Sequence, residues 1–201
     1  MINGSPHKEG STYTALVEMA KVLEANGVET EILQVGSARV SGCMACGFCH
    51  KEGYCVFDDI VRVASKKFEE CDGLVVGSPV YYASANGTLI SFLDRLFYSS
   101  RFDKSMKVGA AIVSARRGGL SATFDQLNKY FTISGMPVAS GQYWNSIHGN
   151  NAEEAKQDLE GLQSMRTLGQ NMAFLLNSIA YGKDRDGLPE KEPKIATNFI
   201  R

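Results

Sequence analysis

The sequence predicts an α/β protein, a three-layer α/β/α sandwich built on a five-stranded parallel sheet. Three observations point there. Strand-like and helix-like segments alternate along all 201 residues, the pattern that covers a parallel sheet with helices on both faces. Gly73–Gly77 and Val108–Val113 are short apolar runs, as expected of strands buried on both sides. Finally, residues 4–12 join the first strand to the first helix through glycines and hydroxyl side chains. In open sheets of this kind ligands bind beyond the carboxyl ends of the strands.

The elements follow in order. Residues 1–3 run as a strand into Gly4, a short one for a central position. Ser11 opens a helix whose Ala15, Leu16, Met19, Ala20 and Leu23 keep helical spacing, and Asn26-Gly27 ends it. Val28–Val35 reads as the second strand and Gly36–Val56 as a long loop. Asp58 and Asp59 stand at the positive start of a helix reaching Glu70. Helices are expected over Leu89–Tyr98 and Leu120–Phe131, and the fifth strand over Pro137–Trp144. A closing helix spans Ala152–Tyr181, its stripe formed by Leu162, Met165, Leu168, Met172, Leu175 and Ile179. Residues 1–181 thus make one domain and 182–201, polar with Pro189 and Pro193, a C-terminal tail.

Composition narrows the function. A formal net charge of -1 offers no basic field for nucleic acid or an anionic membrane. No apolar run approaches the roughly 20 residues of a membrane helix, and the first residues lack the pattern of a signal peptide, so the expected location is the cytoplasm. Four of the five cysteines, Cys43, Cys46, Cys49 and Cys55, crowd into one loop. That is a poor disulfide framework and reads as a metal or redox site. Cys71, beside a strand, reads as a small buried hydrophobe.

The loops at 4–12, 36–56, 78–86 and 114–119 should meet at one sheet edge. In the first, glycine lets the backbone approach a phosphate, Ser5, Ser11 and Thr12 can donate to it, and the helix start adds free N–H groups. It is neither the G-x-G-x-x-G dinucleotide fingerprint nor a nucleoside triphosphate loop.

Gly4-Ser5-Pro6-His7-Lys8-Glu9-Gly10-Ser11-Thr12 and Gly77-Ser78-Pro79-Val80-Tyr81-Tyr82 are followed by Ser114-Ala115-Arg116-Arg117-Gly118-Gly119. Gln142-Tyr143-Trp144-Asn145 and His148-Gly149 come after these. In this order they resemble the NADPH-dependent FMN reductase and iron–sulfur flavoprotein family. The resemblance implies a flavodoxin-like fold with strand order 2-1-3-4-5. It implies that Ser5, His7, Ser11 and Thr12 hold the FMN phosphate, His7 standing where the family more often has arginine. Pro79, Val80, Tyr81 and Tyr82 would lie along the ring and ribityl chain, and Ala115, Arg116, Gly118 and Gly119 would border the pyrimidine edge. Trp144 and His148 could reach a flavin, this subunit's or another's. Cys43-x2-Cys46-x2-Cys49-x5-Cys55 resembles the compact motif of a [4Fe–4S] cluster. Cluster-free thiols and a four-thiolate zinc site stay open beside it.

The expected activity is an FMN-dependent oxidoreductase, with NAD(P)H as transient cosubstrate and a quinone, flavin or iron–sulfur centre as acceptor. Since the flavin carries the chemistry, no catalytic side chain is named. The alternative is an electron carrier relaying electrons between protein partners such as ferredoxin. A third reading is a binding module without flavin that keeps a structural zinc. A homodimer or homotetramer is expected, because relatives cover the open ring face with another subunit.

Overall fold

The computed structural model of the chain describes residues 1–193, 195–197 and 199. Its strands are β1 (Ile2–Asn3), β2 (Leu33–Gln34), β3 (Gly73–Tyr81), β4 (Ser84–Ala85), β5 (Val108–Ala115) and β6 (Ser146–His148). Its helices are α1 (Ser11–Ala25), α2 (Phe48–Glu52), α3 (Ile60–Glu70), α4 (Gly87–Ser99), α5 (Leu120–Thr132), α6 (Ala152–Ala155) and α7 (Leu159–Asp186).

The sheet order is β2-β1-β3-β5-β6, all parallel, with β4 paired antiparallel to β3 in a hairpin off this path. This is the expected 2-1-3-4-5 arrangement with one hairpin strand added. Alternation along β3 and β5 divides the core. Leu74, Val76, Ala111 and Val113 face a layer that includes Val61, Phe68, Phe92, Leu96 and Phe131 of α3, α4 and α5. Val75, Ala110 and Ile112 face Leu16, Met19, Met165, Leu168 and Met172 of α1 and α7. The period-2 pattern of a strand and the period-3.6 pattern of a helix thus meet on both faces. Among the described residues no helix is long and apolar enough to cross a membrane.

Four elements differ from expectation, each for a local reason. Only Leu33–Gln34 of the second strand is laddered, because β1 offers it only Ile2–Asn3 to pair with. The third strand runs on through Ser78-Pro79-Val80 to Tyr81, where β4 supplies a partner. The fifth strand is Ser146–His148, not Pro137–Trp144. Val138 touches β5 in one isolated bridge, with Gly109 N–H donating to Pro137 O and Ala139 N–H to Gly109 O. The chain then loops away, carrying Tyr143 and Trp144 into solvent at 65% and 52% exposure. Asn145 brings it back: its Nδ2 donates to Ala111 O at 3.1 Å, and its own O accepts from Val113 N–H. A side-chain amide so stands in for ladder bonds across the gap. Lastly, the closing helix is two helices, because Asp158 caps α7 through Gly161 N–H (2.9 Å), and α7 extends past Tyr181 to Asp186.

Candidate functional site

Because β1, β2, β3, β5 and β6 are parallel, the connections that leave them open at a single edge. Loop 4–10 is braced there by three amide side chains. Asn3 Oδ1 accepts from Ser5 N–H (3.1 Å), while its Nδ2 donates to Lys8 O (3.1 Å) and Gln34 Oε1 (2.7 Å). Gln34 Nε2 donates to Ser5 O (2.6 Å), and Asn86 Nδ2 to Gly4 O (2.8 Å). Gly36 lies beneath: a Cβ there would stand 2.2 Å from the Ser5 carbonyl carbon and 2.3 Å from Gly4 O. Only glycine permits that approach.

The hydroxyls expected to hold a phosphate are largely engaged within the protein. Ser5 Oγ accepts from His7 N–H (3.1 Å). Ser11 Oγ donates to Gly149 O and Asn151 O. Thr12 Oγ1 is buried and bonded to Ser114 Oγ at 2.7 Å. His7 is exposed. Free donors come instead from the backbone. Asp59, Asn86, Asn151 and Asp158 each cap their own helix with a side-chain oxygen, but α1 and α5 follow Gly10 and Gly119, which supply no side-chain cap. In α1 the first N–H to bond back is that of Thr14, to Gly10 O (3.0 Å). The N–H groups of Ser11, Thr12 and Tyr13 therefore precede the first bond of the helix and point toward loop 4–10.

The second and third loops stand beside the first. Pro79 and Val80 are half-buried, Tyr81 is 43% exposed and Tyr82 fully exposed. Burial pushes the Tyr81 phenol up, with nearby Ser5 opposing the shift. Tyr82 turns the hairpin with φ +59, a left-handed conformation unusual for an aromatic residue. Ala115 is half-buried, and Arg116, Arg117, Gly118 and Gly119 are exposed. Gly119 has φ +87, and a Cβ there would stand 2.8 Å from Val80 Cγ1, so this loop packs on the hairpin. Arg116 lies near Glu154, whose carboxyl the Asn150 N–H groups hold below its ordinary range. His148 ends β6 half-exposed, its Nδ1 3.3 Å from Asp158 Oδ2. Tyr143 and Trp144 pack against each other, their rings tilted by 53° with centroids 4.9 Å apart.

These features suit FMN: backbone donors at a helix start for a phosphate, an aromatic hairpin alongside, and a glycine-rich loop with a second uncapped helix start beyond it. The cysteine loop is different. Cys43 and Cys46 are exposed, Cys49 and Cys55 half-buried, and among the described residues no three Cys, His, Asp or Glu side chains are grouped to hold a metal ion. The four thiols have the right chemistry for iron or zinc, but this fold does not gather them.

The sequence reading missed the braces Asn3, Gln34 and Asn86, and a buried Arg95. Asn86 carried a signal, an N-cap residue opening an apolar helix. Arg95 carried one too, a charge three residues from Phe92 on an apolar face.

Residues 1–151 match the family described as NADPH-dependent FMN reductase. An iron–sulfur flavoprotein of Methanocaldococcus jannaschii is 32% identical over 190 residues, covering 89% of this chain and 96% of the relative. Another, from Methanosarcina thermophila, is 29% identical over 189 residues, covering 92% and 97%. Among solved structures, a flavodoxin from the domain Archaea aligns with TM-score 0.57 at 16% identity, covering 83% of this chain and 91% of that one. An NAD(P)H:quinone oxidoreductase from Methanothermobacter marburgensis aligns with TM-score 0.63 at 14% identity, covering 85% and 95%. At these identities the two structures speak for the fold alone.

Proposed function

Since the chain belongs to the NADPH-dependent FMN reductase family, we propose that it is an FMN-dependent oxidoreductase that draws on NAD(P)H and supplies an electron acceptor. The observation that carries this reading is the braced loop 4–10 facing the uncapped start of α1, next to the Tyr81 hairpin and the Gly119 loop. When bound, FMN supplies hydride and single-electron chemistry.

The chain's own residues then have separate tasks. The N–H groups of Ser11, Thr12 and Tyr13 receive the phosphate, with Ser5 and His7 at its side. Asn3, Gln34 and Asn86 keep that loop in place before the ligand arrives, so little ordering is needed on binding. Pro79, Val80, Tyr81 and Tyr82 flank the ring, while Ala115, Gly118 and Gly119 present backbone to its pyrimidine edge. Arg116 adds positive charge there, which favours the electron-rich reduced ring. The open side of this edge receives the nicotinamide.

Purified protein tests this directly. It should be yellow, release FMN on denaturation, and lose its visible flavin absorption on adding NADPH or NADH anaerobically. Colourless protein that FMN cannot reconstitute would sink the reading. A second reading, an electron carrier with an iron–sulfur centre, is favoured by the cysteine loop and by relatives named iron–sulfur flavoproteins. Slow bleaching by both nicotinamides with fast reduction by ferredoxin would select it. A homodimer or homotetramer completes the proposal, with the exposed Tyr143–Trp144 pair available to cover a neighbouring ring.

A further inference from the structure

One side of α7 is buried against α1 and the sheet, and carries Met165, Leu168, Met172 and Leu176. On the opposite side Gln163, Thr167, Gln170, Phe174, Asn177 and Tyr181 follow one another at alternating spacings of four and three residues. That is the period of a packing seam between two helices. Thr167 is half-buried and the other five are exposed, Phe174 at 72% and Tyr181 at 68%. From Gly161 to Gly182 the helix has a single charged residue, Arg166, and it is turned aside to Glu18 of α1 at 2.6 Å. A helix face that meets only water ordinarily carries charge. Loss of charge together with exposed aromatic residues is the composition of an interface core.

Charge returns on this side only at the two ends of the seam. Glu160 stands one turn before Gln163, and Arg185 one turn after Tyr181. Arg185 meets the exposed Asp186 and lies 5.6 Å over the Tyr181 ring, a surface pair of little worth that can be exchanged for another. These ends decide both the occupant and its direction. A copy of the same helix laid antiparallel sets Glu160 opposite the copy's Arg185 and Gln163 opposite its Tyr181. The same register sets Thr167 opposite Asn177 and Gln170 opposite Phe174. Each pairing occurs twice, as two-fold symmetry requires. A parallel copy would instead oppose Glu160 to Glu160 and Arg185 to Arg185. The amides and hydroxyls of the seam both donate and accept, so they pair with copies of themselves and no charge has to be buried. The seam is about 27 Å long. Phe174 and Tyr181 of two copies remove about 400–600 Å² from solvent. With the polar side chains added, the contact reaches the roughly 1,000 Å² of a specific interface. A partner steered by charge finds none to match along it.

We propose that this face is the contact by which two copies of the chain pair, α7 against α7 and antiparallel. This deepens the homodimer named above and rests on that part of the reading, with no flavin or iron involved. Asp158, which starts α7, lies beside His148 at the carboxyl edge of the sheet. Antiparallel pairing therefore sends the two edges to opposite ends of the dimer, and the Tyr143–Trp144 pair is left for a further contact.

The test uses the full-length chain, measured by sedimentation equilibrium. Wild type should be a dimer, or a tetramer built of such dimers. Phe174→Glu, an exposed change in mid-seam, should weaken pairing about 100-fold or more. Its circular dichroism, FMN content and bleaching by NADPH should stay as in wild type. Gln170→Glu serves if Phe174→Glu fails to fold. Charge reversal reads the direction. Glu160→Lys and Arg185→Glu should each weaken pairing about 3–30-fold, and the double variant should recover it. A monomeric wild type that binds FMN overturns this proposal and leaves the flavin reading standing. Colourless dimers that Phe174→Glu breaks support this proposal and overturn the flavin reading alone. A dimer indifferent to both Phe174→Glu and Gln170→Glu overturns the seam. Reversals whose losses add instead of cancelling overturn the antiparallel register.

Discussion

Thr12 and Ser114 share a buried hydroxyl–hydroxyl hydrogen bond of 2.7 Å, joining the first turn of α1 to the end of β5. It ties the segment that follows loop 4–10 to the one that leads into loop 116–119, 102 residues apart in sequence. Thr12→Val should leave the Ser114 hydroxyl without its partner and cost about 1–3 kcal/mol. In a chain of this size that lowers the melting temperature by about 3–10 °C. Thr12→Val with Ser114→Ala should cost less than the two single changes added together. Calorimetry of the four proteins measures the coupling.

Gly36→Ala should weaken FMN binding about 10-fold or more, since relieving the contact with Ser5 displaces the loop by about 1–3 kcal/mol of strain. Titration of apoprotein by flavin fluorescence quenching reads this. Unchanged affinity would mean that the loop has room to move.

Tyr82→Gly should move two quantities in opposite directions. Removing a left-handed aromatic relieves about 1–2 kcal/mol of backbone strain, less about 0.5–1 kcal/mol of glycine entropy. Stability therefore rises slightly while FMN affinity falls with the loss of a flanking ring. Urea unfolding of apoprotein, paired with FMN titration, separates the effects, and a destabilised variant would contradict the strain argument.

Cys71 supplies the pH dependence. Burial pushes its thiol up, against the opposing pull of Lys107, and its Sγ donates to Gly73 O at 3.1 Å. The folded state therefore favours the protonated form. The associated stability is fully present below the ordinary thiol pKa and is lost as pH rises through the higher folded value. Labelling at pH 8 should be slower at Cys71 than at exposed Cys43, and Cys71→Ala should flatten the alkaline limb of the stability curve.

The alternating elements and the shared sheet edge were legible because hydrophobic period and glycine punctuation are local signals. The fifth strand was not. Its pairing depends on the Asn145 side chain reaching Ala111 O across 34 residues, and Tyr143 and Trp144 resemble strand residues until they are seen in solvent. Residues 4–10 do form a loop between β1 and α1, as expected, but its support was hidden. Gln34 reaches Ser5 from 29 residues away, and Asn86 reaches Gly4 from 82. The two Arg95 bonds to Cys55 likewise cross 40 residues that no periodicity connects.

The contact of Gly36 with Ser5 also bears on how such a protein can diverge. The chain departs from β2 at the spot where loop 4–10 turns, and it re-enters the framework at Asp59. Everything between is anchored at both ends on one rim. Lengthening such a segment costs only about 0.6 kcal/mol per doubling, and no strand must change register to admit it. Natural variation can therefore rewrite this stretch, with or without its thiols, while loop 4–10 and the sheet edge beneath it are inherited intact.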